Sequence, residues 1–388
     1  MPPLLWQGAL FDPSGYSEDC RCVLYACHEQ AAEIAARDWQ AWTTTVELTA
    51  TQRAIVDHAA GVRLPAPPYV DVFHKTIPPA SRATLHRERG PTVLRTMFET
   101  DSLPGGWAEQ VARFDRVWVP SEFNVRTFAG AGVPREKLRV FAPTLDFAAL
   151  RGRTTPLALP AAAWGMRFLS VFDFSERKGW RTLIDAWADS FEPADDVSLV
   201  IKSSGFVMGV DDAGERIDAY VGERRTAPIV VIDRSLSSAE MAGLYRAVDA
   251  FVLPSRGEGW GRPLMEAMAV GLPTIGPRWG GSLSFMSDEN SFLVDGDVVA
   301  VAPGPLVFDR YLGQRWFEPD RDELVRALRA VAAGGTDAAE RAARAGREIP
   351  ERFGSRPTVD RLEELAVEAL AGYPEPASDP GEATGRAR

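Results

Sequence analysis

The chain is poor in cysteine, lysine and histidine, and it has no long apolar run. Its 388 residues include only three cysteines, Cys20, Cys22 and Cys27, all within one short stretch. An odd, small number of thiols in so long a chain is no basis for a disulfide framework. A zinc site would need a fourth ligand. Only His28 is adjacent, and helical spacing turns Cys20 and Cys22 to different faces. No metal is expected, and the thiols point to a reducing, cytoplasmic setting. No stretch approaches the roughly 18–20 apolar residues a membrane helix needs, so no integral membrane association is expected. The first residues, MPPLLWQGALFDPSG, have neither a basic segment nor a cleavage signature, and predict no signal peptide. Positive charge is in deficit as well: 43 Lys and Arg against 54 Asp and Glu give a net charge of −11. That balance disfavours nucleic-acid partners, whose phosphates call for net or patchy positive charge. Only four of the basic residues are lysines: Lys75, Lys137, Lys178 and Lys202. Arginine dominance together with abundant alanine fits a GC-rich bacterial genome, and it makes each lysine worth locating.

What is present is a globular composition, 45% hydrophobic and 25% charged, in a length that allows two domains. Short apolar runs alternate with helical periodicity. In the first part, residues 4–10, 69–73, 92–98, 116–120 and 137–143 read as strands and 17–32 as a helix. Ser121 is placed to cap a helix, with Asn124 at the position where a capping box would hold Glu. Between 33 and 68 two readings stand: WTTTVEL as a strand and TATQRAIVDHAAG as a helix. Residues 151–165 lose the periodicity and gain Pro and Ala, a linker signal. The alternation then restarts, with strands at 166–172, 197–202, 228–233, 250–254 and 273–276. Helices are expected at 178–191, 212–225, 239–249 and 262–271. Such alternation builds parallel sheets covered on both faces. Two blocks joined by a linker predict two Rossmann-like domains, 1–150 and 166–356, with a cleft between them. An amphipathic helix follows at 357–372, and 373–388 reads as a disordered tail.

In parallel sheets the ligand sits at the carboxyl ends of the strands. The richest loop there is PSRGEGWGRPLMEAM, 254–268. Its glycines at 257, 259 and 261 allow close approach of backbone to a ligand. Pro263 suits a first helical turn, and the helix that follows offers free N–H groups to an anion. Glu258 lies in the loop and Glu266 in the helix. Glu266 taken alone also reads as a partner for the helix dipole. In the loop DFSERKGW, 173–180, Arg177 and Lys178 precede a helix, where basic residues oppose the dipole. A bound anion explains them better. Lys202 ends the next strand and points to the same region, so the two loops can converge on a diphosphate. On the first domain, Asp12–Tyr16 reads either as a plain turn or as a close approach of Gly15 to phosphate. Glu99, after an apolar strand, reads either as a solvated loop charge or as a cleft carboxylate.

EGWGRPLME resembles the glutamate–seven–glutamate motif of family 4 retaining glycosyltransferases, which have the GT-B fold; the pair here is Glu258 and Glu266. The flanks LYRAVDAFVLPS and AMAVGLPTIGPRWGG agree, SERKGW resembles the family's basic phosphate-binding turn, and VWVPSEFNVRTFAGAGVPREKLRVFAPTLD resembles the end of its first domain. The resemblance covers about 90 to 370. It implies roles residue by residue. Glu266 would hold the nucleotide ribose. Glu258 and the loop Gly259-Trp260-Gly261-Arg262 would meet the donor sugar. Arg177 and Lys178 would neutralise the diphosphate, and Gly15 would lie near it. The base would sit around Ile232 to Leu236. The last helix would cross back to the first domain.

Two departures stand out. Many members have a histidine where this chain has Phe98-Glu99, and an arginine where it has Phe172 or Asp173. The expectation is that Glu99 replaces the histidine as a sugar or acceptor contact and Lys202 supplies the missing charge. The resemblance thus implies a retaining transfer of a hexosyl group from a nucleotide-diphosphate sugar to an acceptor hydroxyl. It implies no cofactor beyond that co-substrate, and no metal. The alternatives are a phosphorylase or sugar epimerase on the same fold, or a catalytically degenerate partner subunit of a transferase. Asp295-Gly296-Asp297 has the letters of a metal-binding DxD but reads as a turn.

Overall fold

The computed structural model describes residues 1–39, 45–76, 87–152, 154–204, 209 and 212–373. Six parallel strands form a first sheet: β1 (Leu4–Gly8), β2 (Ala35–Asp38), β3 (Val70–His74), β4 (Thr92–Arg95), β5 (Arg116–Val119) and β6 (Leu138–Val140), in the order β2-β1-β3-β4-β5-β6. β1 and β3 are buried along their whole length, as strands covered on both faces must be. Helices α1 (Gly15–Glu29), α2 (Ala50–Gly61), α3 (Trp107–Val111), α4 (Glu122–Gly130) and α5 (Phe147–Arg151) connect and follow them. Their starts are set by side chains. Ser14 accepts from the Ser17 N–H, Thr49 and Gln52 form a reciprocal capping box, and Ser121 accepts from the Asn124 N–H.

The helix expected at 49–61 is α2, but the strand expected in WTTTVEL is not formed in its described part. Residues 45–48 run irregularly into the Thr49 cap, and 42–44 lie outside the described residues. Beside β1 both places are taken, by Ala35–Asp38 and by β3, and Val46 N–H instead donates to the Phe11 carbonyl in the loop after β1 at 2.8 Å. β4 is also shorter than the expected 92–98, because the chain leaves the sheet at Thr96 to enter the cleft.

After an irregular stretch at 154–165 a second parallel sheet begins. Its strands are β7 (Met166–Asp173), β8 (Val197–Ser204), β9 (Ile229–Ile232), β10 (Ala250–Val252), β11 (Thr274–Pro277) and β12 (Phe292–Val294), in the order β12-β11-β10-β7-β8-β9. Read from the other edge this is the doubly wound dinucleotide-binding order. Around it pack α6 (Trp180–Ser190), α7 (Ala213–Val221), α8 (Ser238–Arg246), α9 (Arg262–Ala269), α10 (Arg321–Ala332) and α11 (Thr336–Phe353). A hairpin of β13 (Gly296–Ala300) and β14 (Arg315–Pro319) belongs to neither parallel sheet. The turn expected at Asp295-Gly296-Asp297 is not formed: Asp295 alone separates β12 from β13, and Gly296 and Asp297 pair with Pro319 and Glu318 in the hairpin.

One large core surrounds the second sheet, and separate clusters line the first. The final helix α12 (Ser355–Ala371) leaves the second domain and places Val359, Leu362 and Leu365 in the first domain's core, beside Trp6, Val23 and Val70. Full burial of such side chains is worth about 1.5–3 kcal/mol each, so α12 is an integral part of that domain. Among the described residues no helix is long and apolar enough to cross a membrane, and no group of side chains is arranged to hold a metal ion.

Candidate active site

In the second sheet the chain moves outward from β7 to β9, then returns to β10 on the other side of β7. The loops leaving β7 and β10 therefore diverge at this switch point and open a crevice. They are the basic turn at 174–179 and the motif loop at 253–261. The two are docked on each other through backbone. Gly179 has φ +65°, and a Cβ there would collide with the Pro254 carbonyl oxygen, so only glycine fits. The Arg256 N–H donates to the Arg177 carbonyl at 2.7 Å.

This docking delivers two cations to one carboxylate. Lys178 Nζ lies 2.6 Å from Glu258 Oε1 and Arg177 Nη1 lies 3.3 Å from Oε2. Ser255 Oγ donates to Oε1 at 2.8 Å, and Arg177 also donates to the Gly257 carbonyl at 2.5 Å. Burial alone would push the Glu258 carboxyl upward, but Lys178 and Arg177 outweigh it and hold it below its ordinary value. Lys178 is lowered by burial and then by Arg177, with Glu258 opposing. The two cations thus converge on Glu258, with Asp173 and Glu99 as further charged neighbours. Arg256 braces the site from behind, donating to the Glu176 carbonyl at 3.1 Å and pairing with Glu318 at 2.7 Å.

Glu266, in α9, accepts from Tyr245 Oη at 2.8 Å and pairs with Arg262 Nε at 3.0 Å. Burial raises its carboxyl, with Arg262 opposing. Arg262 opens α9, where a cation opposes the dipole. Its role is elsewhere: it crosses to the first domain, donating to the Thr144 carbonyl at 3.1 Å and to Cys22 Sγ at 3.2 Å, with Glu18 at 3.5 Å.

The first sheet presents its own carboxyl-end loops to this crevice. Gly257 lies so close to the Glu99 carbonyl that a Cβ would strike it, and Ser121 Oγ donates to the Gly259 carbonyl at 3.2 Å. Glu99 is half-buried and accepts from Tyr311 Oη at 3.0 Å. Tyr16 Oη donates to the Met97 carbonyl at 3.2 Å. Gly15, the first residue of α1, is exposed with open space where a side chain would be. The Asp12–Tyr16 loop is also a turn ordered by its own bonds, since Ser14 N–H donates to Asp12 Oδ1 at 2.9 Å.

Structure thus brings Arg177, Lys178, Glu258 and Glu99 together, with Gly259 and Gly261 in the same loop and Glu266 and Arg262 on the helix behind it. Three expected residues make no bond to that cluster among the described residues, although Lys202 shares Asp173 as a charged neighbour with Arg177 and Lys178. Lys202 Nζ donates to the Ser203 carbonyl at 2.9 Å and has Asp233, Arg234 and Asp173 as charged neighbours. Ile232 ends β9 and Leu236 follows it, both half-buried on that same side. The Trp260 indole is turned into the core, its Nε1 on Met265 Sδ at 3.0 Å and its ring against Phe285 and Phe353, which leaves only its backbone to the loop. Phe98, at the family's histidine position, is core too, packed on Trp107 and Tyr311.

Sequence reading missed Ser255, Arg256, Tyr245, Tyr16 and Tyr311. The first four lie inside quoted segments and lack only the side-chain geometry. Arg262 carried the same signal as Arg177, a cation against a helix dipole. Nothing in the local sequence marks Tyr311.

Comparisons with known proteins agree with this geometry. Residues 166–304 match the family of group 1 glycosyl transferases. A D-inositol 3-phosphate glycosyltransferase of Arthrobacter sp. (strain FB24) is 28% identical over 169 residues, 43% of this chain and 38% of that protein. The putative colanic acid biosynthesis glycosyltransferase WcaL of Escherichia coli (strain K12) is 26% identical over 206 residues, 51% of this chain and 46% of that one. The chain thus spans less than half the length of these curated relatives. Solved structures of the same fold include Anabaena Alr3699/HepE in complex with UDP and glucose, with a TM-score of 0.65 at 15% identity over 95% of this chain and 100% of that one. Sucrose-phosphate synthase from Thermosynechococcus elongatus has a TM-score of 0.63 at 16% identity, over 96% and 100%. The architecture is GT-B, and the match to the group 1 glycosyl transferases falls on residues 166–304, which carry the second sheet and the motif loop.

Proposed function

We propose that the protein is a retaining glycosyltransferase that moves a hexosyl group from a nucleotide-diphosphate sugar to an acceptor hydroxyl. The observation that carries this reading is the convergence of Lys178 and Arg177 on Glu258 at the switch-point crevice. When the bond between the anomeric carbon and the phosphate oxygen breaks, its electron pair goes to the diphosphate. Two preorganised cations and the α9 N-terminus are aimed at that growing charge. They supply the neutralisation the reading needs without a metal. Both Glu258 oxygens are already held, Oε1 by Lys178 and Ser255 and Oε2 by Arg177. Such a carboxylate is a poor nucleophile. That favours attack by the acceptor on the face the diphosphate leaves, with the acceptor proton passing to the departing phosphate oxygen.

In this reading Glu266 binds the ribose, Arg177 and Lys178 the diphosphate, and Gly15 lies beside it. Glu258 and the Gly259–Gly261 backbone meet the sugar, the base sits near Ile232 to Leu236, and Glu99 meets a sugar or acceptor hydroxyl. HepE, a similar structure, is in complex with UDP-glucose, which makes a UDP-hexose the first donor to try. The acceptor would be a small molecule, a glycan or a specialised metabolite, met in the cytoplasm.

The test is thermal stabilisation by UDP, GDP, ADP and dTDP, with and without EDTA. At about a hundred times its dissociation constant, a ligand stabilises by about 2.7 kcal/mol. One nucleotide is expected to do so, equally with EDTA, and Glu266→Gln is expected to lose the effect. No shift with any nucleotide in folded protein overturns the reading.

A further inference from the structure

The β13–β14 hairpin extends beyond the family match and joins the two domains at the crevice. On one side Leu306 lies in the second domain's core, Glu176 N–H donates to the Leu306 carbonyl at 3.0 Å and Phe317 N–H to the Arg256 carbonyl at 2.8 Å. On the other, Val301, Tyr311 and Trp316 pack with Phe98, Leu103 and Val111 of the first domain. Arg315 N–H donates to Asp101 Oδ1 at 2.9 Å, and Asp101 N–H to the Arg315 carbonyl at 3.1 Å. The hairpin is therefore fixed to both walls, not hung over them.

Tyr311 is its deepest polar residue. Its ring packs against Phe98, Phe308 and Trp316, a place that phenylalanine would fill equally well. Only the hydroxyl goes unexplained by packing, and it donates to Glu99 Oε2 at 3.0 Å. Burial and the nearby Glu99 push the phenol up to about 12, so it stays a donor at every working pH. Among the described residues no hydrogen bond reaches the other carboxylate oxygen, Oε1. Glu99 itself is half-buried, beside Gly257 and one residue from Glu258, with Arg177 as a charged neighbour of both Tyr311 and the motif carboxylate.

We propose that Tyr311 is a positioning residue: its hydroxyl fixes Glu99 so that the open carboxylate oxygen receives a hydroxyl of the donor sugar, which makes the hairpin a determinant of sugar choice. This rests on the transferase reading above. A carboxylate held by one partner and open to another forms a directed, charge-assisted bond. A site built for one hydroxyl discriminates strongly against a sugar that lacks it at that position.

The experiment compares wild type, Tyr311→Phe, Glu99→Gln and the double variant. Dissociation constants are measured for UDP and UDP-glucose, and for GDP and GDP-mannose. For the pair that wild type binds, Tyr311→Phe is expected to weaken the sugar nucleotide by about tenfold, the worth of a hydrogen bond to a charged group. The nucleoside diphosphate alone should move less than about twofold. In the Glu99→Gln background the tyrosine change should add nothing, because its effect runs through that carboxylate. An unchanged ratio of sugar nucleotide to diphosphate, or additive losses in the double variant, overturns the inference and leaves the transferase reading intact. If wild type binds neither diphosphate nor sugar nucleotide, both fall together.

Discussion

Two clusters in this molecule have the same composition and opposite uses. Each is a carboxylate facing two basic groups. In the second domain Glu258 faces Lys178 and Arg177 on loops beyond the strand ends. In the first, Asp19 faces Arg95 at 3.0 Å and His74 at 3.4 Å, within the sheet and its covering helix. The Arg95 and His74 side chains are fully buried, whereas Arg177 keeps 16% of its side-chain surface exposed. Arg95 spends its other donors on the Phe141 carbonyl at 2.5 Å and its plane on the Phe141 ring. The first cluster is buried within the domain. The second keeps part of its surface open at the crevice. Both stand at strand ends, since His74 closes β3 and Arg95 closes β4; burial, not residue type or position along the strand, separates them.

Removing one partner from each cluster breaks the comparison most sharply. Asp19→Ala leaves buried Arg95 without its counter-charge and should cost about 3–5 kcal/mol of stability in denaturant unfolding. Lys178→Ala leaves Glu258 still paired with Arg177 and Ser255, so its stability loss should be roughly 1 kcal/mol. Its effect appears instead in turnover of the donor sugar, down about 10²–10³-fold, or about 2.7–4 kcal/mol. Equal unfolding by both changes would erase the distinction.

Acid sharpens it next. Burial, helped by Arg95 and opposed by Asp19, lowers His74 to about 4. The unfolded chain takes up the proton near 6.5 and the native protein only near 4, so stability falls as pH drops through that window. The loss should be on the order of 3 kcal/mol, and it should shrink in His74→Gln. The open cluster responds in binding rather than in stability. Lys178 is lowered by burial and Arg177, so diphosphate affinity should weaken as pH rises, before an ordinary lysine would deprotonate. Glu266 is raised by burial, so nucleotide affinity should also weaken on the acid side, above the ordinary carboxylate range. Titration calorimetry across pH would show a narrowed optimum; a flat profile would contradict both assignments.

The second half of the fold was the more legible in sequence. Its strands are apolar runs between clear helices, and its motif loop has three glycines and a paired glutamate that ordinary caps do not need. The strand ends also told where to look, since the parallel order places ligands there. What stayed hidden was non-local. β2 is only four residues, AARD, yet it takes the place beside β1, while Val46 in the run that follows bonds to the loop after β1. The place of Trp260 in the loop predicts a donor contact, while its side chain is core. Tyr311 lies more than two hundred residues from Glu99 in sequence, in a connection whose polar and apolar residues have no regular period. Its partner is set by the hairpin's tertiary packing, which no local pattern records.

The return of α12 to the first domain has a consequence for synthesis. The residues made first, around β1 and α1, cannot complete their core until Val359, Leu362 and Leu365 emerge at the far end of the chain. The second domain's sheet and helices, through α11, are complete before then. On the ribosome the order of folding should therefore run against the order of translation: the second domain closes first, and the first domain waits, open, for the last helix. A nascent chain arrested before residue 355 would hold a finished second domain and an unfinished first one.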